Sequence, residues 1–262
     1  MSGARVLVTG ASKGIGRAIA ASLSERGYEV SGTARRPDAV DNRLPNVAYL
    51  ALDLLEDSSI DACLRSAGRV DVLINNAGGS SAWPASEAGP DELREIFQLD
   101  FFGPVRLIQS VLPGMLERRS GFILNIGSLV WRFAVPFQSA YASAKAALAA
   151  YSCSLRNEVA LRGIKVVTLD PEHIRTTIEP NTSRASSGLF ASEMEAFFRA
   201  RRQGMDKAAE ASVVAAKVVR ILGKKRPAPF YAAGKGASVQ VLASRLLPAS
   251  FIERIVRKRF GL

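Results

Sequence analysis

Apolar and polar positions along the 262-residue chain follow two alternating periods. Short, nearly continuous apolar runs at 5–9, 28–34, 47–52, 70–74, 122–126 and 165–169 read as strands buried on both faces. Between them lie segments with helical spacing. One leads from a glycine-rich turn to Arg26 and is closed by Gly27; the others span 58–66, 91–119 and 141–161. Strands alternating with helices of this length predict an α/β fold, a doubly wound parallel sheet covered on both faces. The length suits one such domain, and no internal repeat or low-complexity segment interrupts it.

Composition narrows the class. A 48% hydrophobic content allows a large core. Cys63 and Cys153 stand far apart in helical segments, so neither a disulfide framework nor a metal cluster is expected, and a reducing cytoplasm fits. No apolar run approaches the roughly 20 residues of a membrane span, and the chain starts directly into its first strand without a signal-like segment. His173 is the single histidine, which leaves little material for a histidine-rich zinc site or a Ser-His-Asp triad.

The net charge of +11 changes the picture only at one end. From Arg220 onward the chain has ten Lys/Arg and one Asp/Glu, +9 of the total, so the preceding part is nearly balanced and a nucleic-acid role for the whole domain is not expected. In this tail Val239, Leu242, Leu246, Phe251, Ile252, Ile255 and Val256 recur at helical spacing, interrupted at Pro248. Arg245, Arg254, Arg257, Lys258 and Arg259 fill the positions between. The pattern predicts a basic amphipathic extension over 236–262, appended to a main unit over 1–235. Its apolar stripe packs on a substrate lid or on a partner subunit, or rests on an anionic membrane surface.

Two stretches carry chemistry. Tyr141 and Lys145 lie four apart at the start of an alanine-rich helix and share a face, where an ammonium favours phenolate and lowers the phenol's pKa toward the working range. Thirteen residues earlier, Ser128 follows a buried strand and presents a hydroxyl at its carboxyl end. The second stretch is Gly10-Ala11-Ser12-Lys13-Gly14-Ile15-Gly16. Glycines there let the backbone turn sharply and a pyrophosphate approach the N-terminus of the next helix. After the second strand, where an acidic residue would serve a ribose 2′-hydroxyl, stands Arg35, suited to a 2′-phosphate, with Lys13 nearby.

Thr9-Gly10 to Gly16, Asp53, Asn75-Asn76-Ala77-Gly78, Ser128, Tyr141-x-x-x-Lys145 and Pro171 to Thr176 together resemble, in order and spacing, the motif series of the short-chain dehydrogenase/reductase family. The resemblance covers about residues 4 to 180 and implies a Rossmann-type sheet with a helical substrate lid near 175–205. It implies that Ser128 holds the substrate oxygen, Tyr141 exchanges the proton, and Lys145 tunes Tyr141 and binds the nicotinamide ribose, with Asp100 supporting the lysine. It assigns to NADP(H) Gly10, Ser12, Lys13, Gly14, Ile15 and Gly16 of the turn, and Arg35 and Arg36 after the second strand. Asp53 and Leu54, Asn75, Ala77 and Gly78, Tyr141 and Lys145, and Pro171, Ile174 and Thr176 complete the cofactor set. No metal is implied.

The chain departs from the family pattern twice. Asp100 replaces a usual Asn, and its carboxylate is expected to hold the Lys145 ammonium and compete with Tyr141 for it. Glu172 replaces a usual Gly after Pro171. Aromatic residues suggest an apolar substrate pocket: Trp131, Phe133 and Phe137 between Ser128 and Tyr141, and Leu189, Phe190, Phe197 and Phe198 in the lid. A lipophilic ketone or alcohol such as a steroid, retinoid or long-chain carbonyl follows as the expected substrate, with Trp131, Phe137 and Phe190 as its pocket. Arg199, Arg201 and Arg202 read as a solvated face rather than a carboxylate binder. The resemblance further implies a homodimer or homotetramer. The rival reading is an NADP-binding sensor or scaffold of the same fold, supported by Asp100 and Glu172.

Overall fold

A computed structural model of the chain describes residues 3–175, 188–206 and 208–262. Thr176 and the first part of the expected lid lie outside the described residues. Numbered in chain order, the strands are β1 (Arg5–Val8), β2 (Glu29–Ala34), β3 (Val47–Ala51), β4 (Val72–Asn75), β5 (Gly121–Ile126), β6 (Ile164–Pro171), β7 (Ile174–Arg175), β8 (Ala209–Glu210) and β9 (Phe230–Ala233). Seven form one parallel sheet in the order β3-β2-β1-β4-β5-β6-β9, while β7 and β8 pair separately. The order reverses direction between β1 and β4, and this Rossmann-type switch opens a crevice at the strands' carboxyl ends.

The two-residue period of each strand divides its side chains between two cores. Val6 and Val8 of β1, with Phe122 and Leu124 of β5, meet α1 (Gly14–Ser24) and α8 (Ala211–Leu222) through Ile19, Leu23, Val214, Val218 and Ile221. Leu7 and Ile123 face the other side, toward α2 (Asp57–Ala67), α4 (Gly103–Glu117) and α6 (Ser139–Glu158), where Ile60, Leu107, Met115 and Leu155 are buried. Each such side chain contributes about 1.5–3 kcal/mol by leaving water.

The continuous helix predicted over 91–119 is instead α3 (Pro90–Phe97), a single π turn (Gln98–Phe102) and α4. Pro104 has no N–H to give the Asp100 carbonyl, and the Gly103 N–H bonds instead to Gln98, five residues back. Asp100 therefore sits in the irregular turn, fully buried.

A short α5 (Val130–Phe133) lies between β5 and α6, and beyond β6 the chain builds a roof over the crevice. It comprises α7 (Ala191–Asp206), α9 (Ala237–Leu246) and α10 (Ala249–Phe260), the last two separated at Pro248 as the sequence pattern predicts. Phe260 and Val256 of α10 pack with Phe197 and Phe198 of α7. The inner face of the extension thus belongs to the domain's own core.

Candidate active site

The turn joining β1 to α1 depends on backbone freedom at two points. Gly10 and Gly14 have φ of +68° and +57°, in the left-handed region that side-chain-bearing residues avoid. A Cβ on Gly16 would stand 2.2 Å from the Gly10 carbonyl oxygen, so only glycine permits this helix to start so close to the turn. Thr9 and Asn76 lace the switch point together. The N–H groups of Asn76 and Ala77 each donate to Thr9 Oγ1 at 2.9 Å, and Asn76 Nδ2 donates to the carbonyls of Thr9 at 2.9 Å and Gly10 at 3.3 Å.

The α1 N-terminus has no side-chain cap and no acidic residue in its first turn, and Ser12, Lys13 and Ile15 border it. Lys13, Arg35 and Arg36 are exposed, and no described carboxylate lies within ion-pair distance of them. Free helical N–H groups beside three cations with no described carboxylate partner are a donor set for the phosphates of a dinucleotide, so the residues present fit a nicotinamide cofactor.

Two expected cofactor residues are placed otherwise. Asn75 is buried and donates to Asn125 Oδ1 at 2.8 Å, while Asn125 Nδ2 donates to Ser152 Oγ at 2.8 Å. It ties β4, β5 and α6 together, and its neighbour Asn76 faces the turn instead. The Leu54 side chain is likewise in the core, and its carbonyl accepts from Gln98 Nε2 at 3.0 Å. Asp53 closes the turn after β3, its Oδ1 accepting the Leu55 N–H at 3.0 Å. Gly78 faces the reactive group: a Cβ there would lie 2.2 Å from Asp100 Oδ1 and 3.4 Å from Lys145 Nζ. Pro171 ends β6, and the buried Ile174 lies in β7.

Ser128, Tyr141, Lys145 and Asp100 converge at the carboxyl end of β5. The Lys145 ammonium lies 2.9 Å from Asp100 Oδ1 and donates to the Ile126 carbonyl at 3.3 Å, while Nζ stands 5.7 Å from the Tyr141 ring centre. The Ser128 hydroxyl is within hydrogen-bonding reach of the phenol. Burial opposes the charge on Lys145 most strongly, yet Asp100, Tyr141 and Asp170 together outweigh burial and raise the lysine's pKa. Burial pushes Asp100 up in turn, against the pull of Lys145.

The expectation that Lys145 brings Tyr141 toward neutral pH is corrected. Burial raises the phenol's pKa, Lys145 lowers it, Asp100 raises it again and Ser128 lowers it; the net direction is upward. Asp100 competes for the ammonium as its charge predicts, and Tyr141 stands as a neutral phenol, the form that donates a proton.

The aromatic residues divide into two groups. Phe137, held at a φ of +61°, lies 6.3 Å from Phe190 and 5.7 Å from Phe197, ring centre to ring centre. Trp131 does not join them. Its indole N–H donates to Asp170 Oδ2 at 3.3 Å, its ring lies 6.0 Å from Phe230, and the Arg132 guanidinium stacks on it at 4.0 Å. Asp170, which sequence reasoning missed, is fully buried and pushed up to about 6 by burial against the pull of Arg132. Glu172 accepts from Gln240 Nε2 of α9. The reading of 199–202 as a solvated face is corrected at Arg201, which is half-buried and acts through space on Tyr141.

The model of the family described as short chain dehydrogenase matches residues 4–187, and the chain belongs to that family. It is 32% identical over 238 residues to an oxidoreductase, BOA17, of Botryotinia fuckeliana, covering 84% of this chain and 85% of that one. To the 3-oxoacyl-(acyl-carrier-protein) reductase FabG of Vibrio harveyi it is 39% identical over 184 residues, 67% of this chain and 75% of that one. The crystal structure of a short-chain dehydrogenase from Streptomyces avermitilis matches with a TM-score of 0.83 and 33% identity over 98% of both chains. The general activity is therefore oxidoreduction with a nicotinamide cofactor.

Proposed function

We propose that the protein is an NADP(H)-dependent oxidoreductase that interconverts a carbonyl and an alcohol on a lipophilic substrate. The observation that carries this reading is the convergence of Ser128, Tyr141 and Lys145 beside Asp100 where the sheet opens. The dinucleotide supplies or accepts the hydride. Ser128 holds the substrate oxygen, and Tyr141 donates its proton to the alkoxide that develops during reduction. Lys145, kept charged by Asp100, stabilises the phenolate left behind. Lys13, Arg35 and Arg36 support the 2′-phosphate, and Phe137 and Phe190 the apolar pocket.

Following NADPH and NADH oxidation against aliphatic, aromatic and steroidal carbonyls tests the proposal. Turnover of at least one class with NADPH preferred is expected, and failure with every class under both cofactors would favour the sensor reading. The reading includes a cytoplasmic homodimer or homotetramer, which sedimentation measures directly.

The extension motivates a second proposal, peripheral contact with anionic membrane. Val239, Leu242, Leu246, Phe251 and Ile255 are exposed on the outer faces of α9 and α10 among Arg245, Arg254 and Lys258. Among the described residues no helix is long and apolar enough to cross a membrane, so the contact is superficial. Co-sedimentation with acidic vesicles should weaken in a Leu242→Gln, Phe251→Gln, Ile255→Gln variant. Equal partitioning of variant and wild type would end this proposal.

A further inference from the structure

Two arginines gather around a neutral histidine in the roof, on elements that contribute nothing to the catalytic set. His173 follows β6, Arg201 stands on α7 and Arg259 on α10. Arg259 Nη2 lies 2.8 Å from His173 Nε2, a contact in which the guanidinium donates to an unprotonated ring nitrogen. Three residues past Arg201, Gly204 lies against the same ring, where a Cβ would meet Nε2 at 3.0 Å. Helix α7 therefore crosses the imidazole, and Arg201, four residues after Phe197 that packs on Phe137 and three before Gly204, lies half-buried on the same face of α7, where its charge acts on both Tyr141 and His173. Among the described residues no carboxylate lies within ion-pair distance of Arg201 or Arg259.

Aromatic packing imposes this gathering of like charge. Phe260, next to Arg259, stacks on Phe197 of α7 at 5.4 Å, which fixes α10 against α7 whatever the charges prefer. A half-buried guanidinium and an exposed one, both acting on His173, repel each other and attract an anion entering the crevice. Arg201 is placed to meet it, because its planar fork suits a carboxylate and, of the two arginines, it is the half-buried one on the face of α7 that packs against Phe137.

We propose that Arg201, backed by Arg259, binds a carboxylate carried by the substrate, so that the protein acts on an oxo-acid or hydroxy-acid whose apolar part lies against Phe137 and Phe190. This rests on the oxidoreductase reading and narrows its lipophilic substrate to an acidic one. Charge-assisted bonds of this kind separate an acid from its neutral ester by roughly 10- to 100-fold in affinity.

The test uses decanoate and methyl decanoate with the full chain, by calorimetry, while NMR follows the single histidine. Wild type should bind decanoate at least about tenfold more tightly than the ester, and decanoate should raise the His173 pKa by offsetting the guanidinium charges. Arg201→Gln should abolish both the preference and the His173 response, and Arg201→Lys should retain part of each. Equal binding of acid and ester, or a preference that survives in Arg201→Gln, would overturn the inference. Should Arg201→Gln fail to fold, Arg259→Gln and Arg201→Lys report on the same ratio. The readout is independent of turnover. Decanoate selectivity without reduction of any carbonyl would refute the oxidoreductase reading alone, whereas reduction of neutral ketones without decanoate selectivity would refute this inference alone.

Discussion

The floor and the roof of the crevice handle charge in opposite ways. On the floor each buried cation has its carboxylate: Lys145 meets Asp100 at 2.9 Å, and Arg132 meets Asp170 at 3.2 Å, with both carboxylates fully buried. In the roof Arg201, Arg259 and His173 gather without a described counter-charge. Removing one partner of a buried pair costs about 3–5 kcal/mol, because the other is left unsolvated. The floor is therefore preassembled and rigid, whereas the roof leaves its electrostatic balance to whatever enters.

The largest expected effect breaks the floor at its reactive group. Tyr141→Phe deletes one O–H and little volume, so cofactor affinity should change little while kcat falls on the order of 10²-fold or more. Steady-state turnover beside a fluorescence titration of NADPH measures both, and wild-type turnover in the variant would remove Tyr141 from the mechanism. Next in size is the outer end of the floor, where Arg35, like the roof arginines, has no described carboxylate within ion-pair distance. Arg35→Asp replaces attraction to a 2′-phosphate by repulsion and should move the NADPH/NADH preference by roughly 10- to 100-fold. An unchanged NADPH dissociation constant would argue against the assignment.

Asp100→Asn sharpens the contrast by making the floor resemble the roof. The amide keeps the shape beside Gly78 and removes the charge that raises both Lys145 and Tyr141. The pKa of Tyr141 should fall, so the acidic limb of alcohol oxidation, where the phenolate base is protonated, should move toward lower pH. An unchanged pH–rate profile would mean that only the backbone of the π turn matters here.

The floor was legible in the sequence because its parts are local. The glycine turn, Ser128 and the Tyr141–Lys145 pair each sit at a strand end or on one helical face, where spacing alone places them. What escaped was settled by partners distant in sequence. Asn75 and Asn76 are adjacent, and only pairing with Asn125 and Thr9 decides which faces the turn. Asp170 shows its role only with Arg132 in place, and the π turn at Asp100 follows from a proline that a periodicity of apolar positions does not register. Helix α8, rich in valine, reads equally well as a strand until α1 is set against it. Arg201 looks like any surface arginine in a charged run, because the face of α7 that turns inward is fixed by Phe197 meeting Phe137 and Phe260, both distant in sequence.

The smallest expected effect tests the roof's charge directly, through His173. Burial, then Arg259 and Arg201, push its pKa down from 6.5 to about 4, so the folded protein prefers the neutral ring more strongly than the unfolded chain does. A histidine with a depressed folded pKa stabilises the fold above pH 6.5, and that stabilisation is lost as pH falls from 6.5 toward 4. The full shift corresponds to an upper bound near 3 kcal/mol, and solvent screening in a partly open roof reduces it to on the order of 1 kcal/mol. His173→Gln should therefore lose less stability than wild type between neutral pH and pH about 4.5 in denaturant titrations. Arg259→Gln should raise the His173 pKa measured by NMR, because one of the two opposing charges is gone. A wild-type titration near the ordinary 6.5 would show that the arginines do not act on the ring, and the contrast between floor and roof would fall with it.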